Sequence, residues 1–154
     1  MANKFSYTIT ISNNKSENEA LEFLVASNSN FIKPDKESRK LLLELLGIDK
    51  KYSRAFDLIL IPGHTNLEKI IEIRNLEDIT LIELKTTKKK LTNLPFGFFF
   101  GATESEFSLA TQLGSKYKFC FISLHSESSN YVLLTLEELN KIIKTKRIQY
   151  QINL

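Results

Sequence analysis

Two apolar segments of the chain contain charged residues where a buried strand normally excludes them. Asp57 lies inside the run 56–61, and Glu83 and Lys85 lie inside the run 79–87. Buried charges are costly without a partner, so such residues are expected to be paired or to bind an ion. Side chains two residues apart in a strand share a face, which puts Glu83 beside Lys85. If the two strands pair, Asp57 also lies beside Glu83, and two carboxylates and an amine meet at one edge of the sheet.

The rest of the pattern predicts a mixed central sheet flanked by helices, an α/β or α+β fold. Alternation predicts strands over 5–11 and 148–154, and short apolar runs predict strands over 98–100, 118–124 and 131–134. Capping boxes at Ser16–Glu19, Thr103–Glu106 and Thr135–Glu138, and an N-cap candidate at Asp35, mark helix starts. With helical spacing they predict helices over 16–25, 36–46, 104–113 and 136–143, while 65–74 fits a short helix or a hairpin arm. No repeat or linker divides the chain, so residues 1–154 are expected to form one domain.

Composition excludes several classes of protein. The chain has 154 residues, with 21 Lys and Arg against 18 Asp and Glu, a charge of +3 that permits nucleic-acid binding without requiring it. Its single cysteine, Cys120, excludes a disulfide framework and a Cys-rich zinc site and fits a reducing, cytoplasmic compartment. No apolar run is long enough for a membrane helix, and the first residues lack the apolar core of a signal peptide.

The predicted pair of carboxylates suits a hard divalent cation. Carboxylate oxygens from Asp57 and Glu83, with the backbone carbonyl of Leu84, are the ligands that Mg²⁺ prefers, and Mn²⁺ is its usual substitute. Such a cation lowers the pKa of bound water and neutralises charge that develops on a phosphate. Lys85 is placed to orient the water or to stabilise the developing charge.

Asp57, followed after 25 residues by Glu83-Leu84-Lys85, resembles the motif of the PD-(D/E)xK nuclease superfamily. Helices 36–46 and 104–113 fall where that superfamily has helices, and the runs 82–87, 98–100, 105–107 and 116–119 are similar to the nuclease-like domains called NO VEIN C-terminal. The resemblance covers about residues 35–125. It implies a restriction-endonuclease-like fold and a Mg²⁺-dependent DNA endonuclease, in restriction and defence or in DNA processing, with Asp57, Glu83 and Lys85 as catalytic residues.

The resemblance also implies an acid on the first helix of the core. Glu37 is the favoured position on helix 36–46, and Glu44 is its competitor. A solvated acid on a helix surface is the alternative interpretation of each.

Basic residues near the motif are candidates for DNA contacts. Lys88, Lys89 and Lys90 follow the strand directly, where they would bind phosphates or form a solvated turn. Lys116 is a further candidate, with a lysine whose stem covers apolar surface as the alternative. The aromatic residues at 96 and 98–100 fit a base-stacking platform or the core, and core packing is the favoured interpretation.

Two functions from different classes follow. The first is the metal-dependent DNA endonuclease, for which the edge strands predicted at both chain ends suggest a homodimer able to cut both strands. The second is a catalytically inactive nuclease-fold module that binds nucleic acid or protein, its acids held in internal salt bridges.

Overall fold

A five-stranded mixed sheet with helices on both faces forms the fold, confirming the predicted fold class. The computed structural model describes residues 2–128 and 130–154, with side chains for 15–72, 74–128 and 130–154. The helices are α1 (Ala2–Ser27), α2 (Lys36–Leu45), α3 (Leu67–Ile73), α4 (Glu104–Leu113) and α5 (Leu136–Asn140). The strands are β1 (Phe31–Ile32), β2 (Leu58–Leu60), β3 (Thr80–Thr87), β4 (Tyr117–Ser123) and β5 (Asn130–Leu134).

The strands stand in chain order across the sheet, β1-β2-β3-β4-β5. β1, β2 and β3 pair antiparallel, with Leu58 opposite Ile82. β3 and β4 pair in parallel, with Lys85 opposite Phe121, and β5 returns antiparallel to β4. Parallel neighbours need a crossover connection, which here contains α4. The pairing of β2 with β3 confirms the predicted pairing of the segment after Asp57 with the strand that carries Glu83 and Lys85.

Each face of the sheet has its own core. On one face Leu81, Phe119 and Phe121 pack with α2, α4 and α5, and on the other Ile82 and Leu84 pack with α1. Adjacent residues of β3 belong to different cores because side chains alternate along a strand. Glu83 and Lys85 therefore lie on the face that α4 covers.

The predicted helices at 36–46 and 104–113 are confirmed as α2 and α4, and the ambiguous segment 65–74 contains the helix α3. The capping boxes predicted at Thr103–Glu106 and Thr135–Glu138 both form. α5 ends at Asn140, three residues before the end of the predicted helix. In the part of the chain described, no helix is both long and apolar enough to cross a membrane.

Three predicted strands are wrong. Residues 5–11 belong to α1, because an alternating sequence forms a strand only beside a partner and β1 occupies the edge next to β2. Residues 98–100 form no strand, because β4 already has a neighbour on each side. The tail 148–154 is also not a strand. Its alternating residues are all at least 79% exposed, so they meet no partner. The structural basis for a dimer through edge strands at both chain ends is therefore absent.

Candidate active site

The backbone turns at Asp57, just before β2. Phe56 and Leu58 belong to cores on opposite faces of the sheet, although residues two apart in a regular strand share a face. The N–H of Asp57 donates to the carbonyl of Ile82 at 2.8 Å. Its carboxylate Oδ2 accepts from the N–H of Leu84 at 2.8 Å. Beyond the last backbone pair between β2 and β3, the Asp57 carboxylate is thus the hydrogen-bond acceptor for the next N–H of β3 on that side.

Where β2 diverges from β3, Asp57 lines a cavity together with Leu58 and Leu84. The N–H and C=O of one residue point to the same side of a strand. Since the Leu84 N–H meets Asp57, the Leu84 carbonyl also faces the β2 side of β3. Asp57 itself is half-buried, so its side chain remains partly accessible to solvent.

Lys85 lies between two buried carboxylates on the α4 face. Its Nζ is 2.5 Å from Oε1 of Glu106 and 3.4 Å from Oε1 of Glu83. The side chains of Lys85 and Glu83 are each 11% exposed and that of Glu106 is 7% exposed. The predicted proximity of Glu83 and Lys85 is confirmed, and Glu106 joins them as a third ionisable group.

Glu106 is held in place by the capping box of α4. Its Oε2 accepts from the backbone N–H of Thr103 at 2.8 Å and from the Thr103 hydroxyl at 2.6 Å. The Thr103 hydroxyl oxygen in turn accepts from the N–H of Glu106 at 3.1 Å. With Oε2 used for the cap, Oε1 is the oxygen that faces Lys85.

The two glutamates beside Lys85 have opposite electrostatic character. Burial and the nearby charge of Asp57 raise the pKa of Glu83 to about 10. Burial also disfavours ionisation of Glu106, but hydrogen bonds from Lys85 and Thr103 outweigh it and lower the pKa of that carboxyl. The charged pair is therefore Lys85–Glu106, and Glu83 is the carboxyl whose neutral form is favoured by burial.

The second oxygen of Glu83, Oε2, is buried and has no hydrogen-bond partner in the described structure. Buried carboxylate oxygens are normally hydrogen-bonded or bound to a cation. Asp57, Glu83 and the Leu84 carbonyl are all oxygen donors, so their chemistry matches the ligands that Mg²⁺ takes. Among the described side chains there is no group of three or more His, Cys, Asp or Glu residues arranged to hold a metal.

A cavity of about 170 Å³ lies next to Asp57 on the α1 side. Its lining contains Glu17 and Asn18 from α1, the basic residues Lys33 and Arg39, and the apolar residues Leu21, Leu58 and Leu84. Partial burial and the charge of Asp57 raise the pKa of Glu17. The acid that α1 places beside Asp57 is therefore Glu17.

The two candidates on α2 lie elsewhere. Glu37 is exposed in the first turn of α2 and does not line the cavity. Glu44 lies 3.6 Å from Lys50, with both side chains more than half exposed. The structure thus brings neither α2 acid to Asp57.

The lysines predicted to bind DNA separate into two groups. Lys88, Lys89 and Lys90 are exposed at the carboxyl end of β3, and Lys90 is 2.6 Å from Glu127. Lys116 lies at the opposite end of β3, where its Nζ donates to the backbone carbonyls of residues 76 and 77 at 2.9 and 2.6 Å. These bonds fix the turn before β3 and favour a structural role for Lys116.

Glu106 and Glu17 are the two residues of this site that sequence reasoning missed. Glu106 was explained by its capping box, and nothing in the sequence shows that its second oxygen faces Lys85. Glu17 follows a segment predicted as a strand and a turn, so its helix had no predicted position against the sheet. The available signal in the sequence was that Glu106 is the third residue of the next helix after Glu83-Leu84-Lys85.

Comparisons with protein-family models, with curated proteins and with solved structures found no match.

Proposed function

We propose that this protein is a metal-dependent DNA endonuclease of the PD-(D/E)xK type. The observation that carries the proposal is the buried, unpartnered Oε2 of Glu83, on the strand whose Leu84 N–H binds the carboxylate of Asp57. Two acids from neighbouring segments, a free oxygen and an adjacent lysine are the groups that metal-assisted phosphodiester hydrolysis needs. The proposal includes a cytoplasmic location and a role in restriction, defence or DNA processing. Double-strand cleavage would require two catalytic sites, and a homodimer that supplies them is part of the proposal as well.

Each residue then has a distinct part. Asp57, Glu83 and the carbonyl of Leu84 would hold Mg²⁺ or Mn²⁺, which when bound supplies Lewis-acid stabilisation of the phosphate. Lys85 would present its amino group beside the carboxylates of Glu83 and Glu106. Glu106 would position Lys85 through the 2.5 Å contact between the two side chains.

The experiment is cleavage of supercoiled plasmid with Mg²⁺, Mn²⁺ or EDTA. Asp57→Asn is the sharpest variant because the amide oxygen still accepts from the Leu84 N–H, which preserves the fold. Glu83→Gln is the second, and Glu72→Gln, an exposed acid on α3, is the matched control. We expect a loss of at least about 100-fold in the first two, since each removes a charged metal ligand, and none in the control. Equal cleavage by wild type and Asp57→Asn would refute the proposal.

An inactive binding module is the second candidate, and the internal neutralisation of Lys85 by Glu106 favours it. Metal-dependent stability distinguishes the two. A cation at 100 times its dissociation constant stabilises a protein by about 2.7 kcal/mol, or roughly 5–11 °C for a domain of this size. A rise of that order with Mn²⁺ that Asp57→Asn abolishes supports the enzyme. DNA binding without cleavage and without a metal-induced rise supports the module.

A further inference from the structure

The loop between β3 and α4, residues 88–103, begins and ends at the candidate active site. Lys88 follows Lys85 by three residues, at most about 10 Å of extended chain. At its other end, Thr103 binds Glu106, which contacts Lys85. Both ends of this loop are therefore close to the proposed reaction centre.

Three consecutive phenylalanines in this loop have different environments. The rings of Phe98 and Phe100 lie 5.1 and 5.0 Å from that of Phe121, edge to face, and Phe121 is opposite Lys85 in the sheet. The ring of Phe99 is 91% exposed. The sequence favours the core for Phe96 and for the run 98–100, which is correct for Phe98 and Phe100 but wrong for Phe99 and for Phe96, whose side chain is 50% exposed.

The position of Phe99 is fixed by the structure around it. Phe98 donates its N–H to the carbonyl of Pro95 at 3.0 Å. Gly97 has φ +88°, and a Cβ there would lie 3.0 Å from Leu91, so the two arms of the loop touch. Because its two neighbours are packed, the backbone that carries Phe99 needs little further ordering when the ring binds a ligand.

The lysines on the same loop are also held by their backbone. The Lys89 carbonyl accepts from the Ser123 hydroxyl at 2.8 Å, and the Lys89 N–H donates to the Thr87 hydroxyl at 3.3 Å. Lys90 pairs with Glu127, whereas within the described residues no carboxylate forms an ion pair with Lys88 or Lys89. Two exposed cations thus lie on the same loop as the exposed ring of Phe99.

We propose that Phe99, Lys88 and Lys89 bind single-stranded DNA beside the active site, with Phe99 stacking on an unpaired base and the lysines contacting phosphates. Exposed aromatic rings combined with cations are how proteins bind single strands without reading sequence. A duplex hides the faces of its bases, so a stacking ring selects DNA with an unpaired segment. This inference rests on the proposed function because it names the substrate class of that site.

Binding measured without cleavage tests the inference separately from the activity. We would measure fluorescence anisotropy of a labelled 20-nucleotide thymidine oligomer and of a 20-base-pair duplex, both in EDTA. Phe99→Ala and Phe99→Leu are expected to weaken single-strand binding about 10-fold, whereas Phe99→Trp stays within about 2-fold, because stacking needs an aromatic face. The matched control is Tyr150→Ala, whose side chain is 80% exposed in the tail, with an expected change under about 2-fold.

The lysines are tested by the salt dependence of the same binding. For single strands the slope of log K against log salt changes by about 0.7 for each phosphate contact, so Lys88→Gln/Lys89→Gln should reduce its magnitude by about 1.4. An unchanged slope would overturn their role.

Three other outcomes would overturn the inference for Phe99. They are equal binding by Phe99→Ala and wild type, full binding by Phe99→Leu, and tighter binding of duplex than of single strand. Phe99-dependent binding to vesicles containing phosphatidylserine, with no effect on the oligomer, would assign the ring to a membrane surface instead. Plasmid cleavage with no Phe99 effect contradicts this inference alone, whereas Phe99-dependent binding without cleavage by wild type contradicts the proposed activity alone.

Discussion

Lys85 carries the positive charge that lies between two buried carboxyl groups, and Lys85→Met removes the charge while keeping much of the side chain's length. The Lys85 side chain is 11% exposed and that of Glu106 is 7% exposed, with 2.5 Å between Nζ and Oε1. Removing one partner of a buried ion pair costs about 3–5 kcal/mol, because the other charge stays buried and unpaired. We expect Lys85→Met to lower the free energy of unfolding by that amount and the melting temperature by roughly 6–20 °C.

A double variant separates the charge from the shape of the side chain. In Lys85→Met/Glu106→Gln the buried charge is gone, and glutamine at the third helical position still serves a capping box with Thr103. Replacing both partners of a buried pair by neutral groups of similar size is often close to neutral. The double variant is therefore expected to lie within about 1–2 kcal/mol of wild type, well above the single variant in stability.

The measurement is urea unfolding followed by far-ultraviolet circular dichroism at pH 7 in EDTA, with the slopes on urea compared between variants. Thr111→Ala on the exposed face of α4 serves as the control for a substitution on that helix outside the site. A loss under about 1 kcal/mol in Lys85→Met, or a double variant no more stable than the single, would refute the buried-pair reasoning. It follows that Lys85→Ala is a poor test of catalysis, because lost activity would also reflect lost folding.

Three further predictions concern single groups. Tyr117→Phe removes the hydroxyl that donates to the Ala55 carbonyl at 2.5 Å in the core, and should cost about 1–3 kcal/mol in urea unfolding; no change would mean that the carbonyl finds another donor. Burial and a neighbouring carboxylate raise the pKa of Glu83 to about 10, so its stabilising contribution is complete below its ordinary value of 4.5 and is lost as pH rises toward 10. Glu83→Gln in EDTA should therefore unfold at a urea midpoint that declines less between pH 5 and pH 9 than that of wild type, and parallel curves would contradict the raised pKa. Glu17→Gln should reduce plasmid cleavage more than Glu37→Gln, since only Glu17 lines the cavity with Asp57, and the reverse order would place the helix acid on α2.

The central elements of the fold were predicted well from the sequence because their buried faces give clear apolar patterns. β3 is apolar on one face and carries Glu83 and Lys85 on the other. Because strand side chains alternate between faces, the spacing of these two charged residues was enough to predict that they lie side by side. Asp35 and Thr103 cap the helices α2 and α4, and their side chains accept from backbone N–H groups as predicted. Local hydrogen bonding is enough to define such helix starts.

The ends of the chain were predicted poorly because strands depend on partners that lie far away in sequence. Alternation over 5–11 and 148–154 was real, but no neighbouring strand pairs with either segment. The same limit applies to the site. The Asp57 side chain binds the Leu84 N–H because the backbone is irregular there, with Phe56 and Leu58 on opposite faces of the sheet. A regular two-residue pattern in the sequence cannot predict such a break. The exposure of Phe99 likewise depends on distant residues. β3 and β5 already occupy both sides of β4, so residues 98–100 have no place in the sheet beside it.

Glu106 connects the fold and the site more directly than any other residue. One carboxylate oxygen caps α4 at Thr103, and the other contacts Lys85 on β3. The same side chain therefore fixes where the helix begins, how the lysine is oriented, and where the loop carrying Phe99 closes against the sheet. A change that frees Glu106 should disturb all three together, so the stability of α4, the orientation of Lys85 and the display of Phe99 are coupled through a single residue rather than set independently.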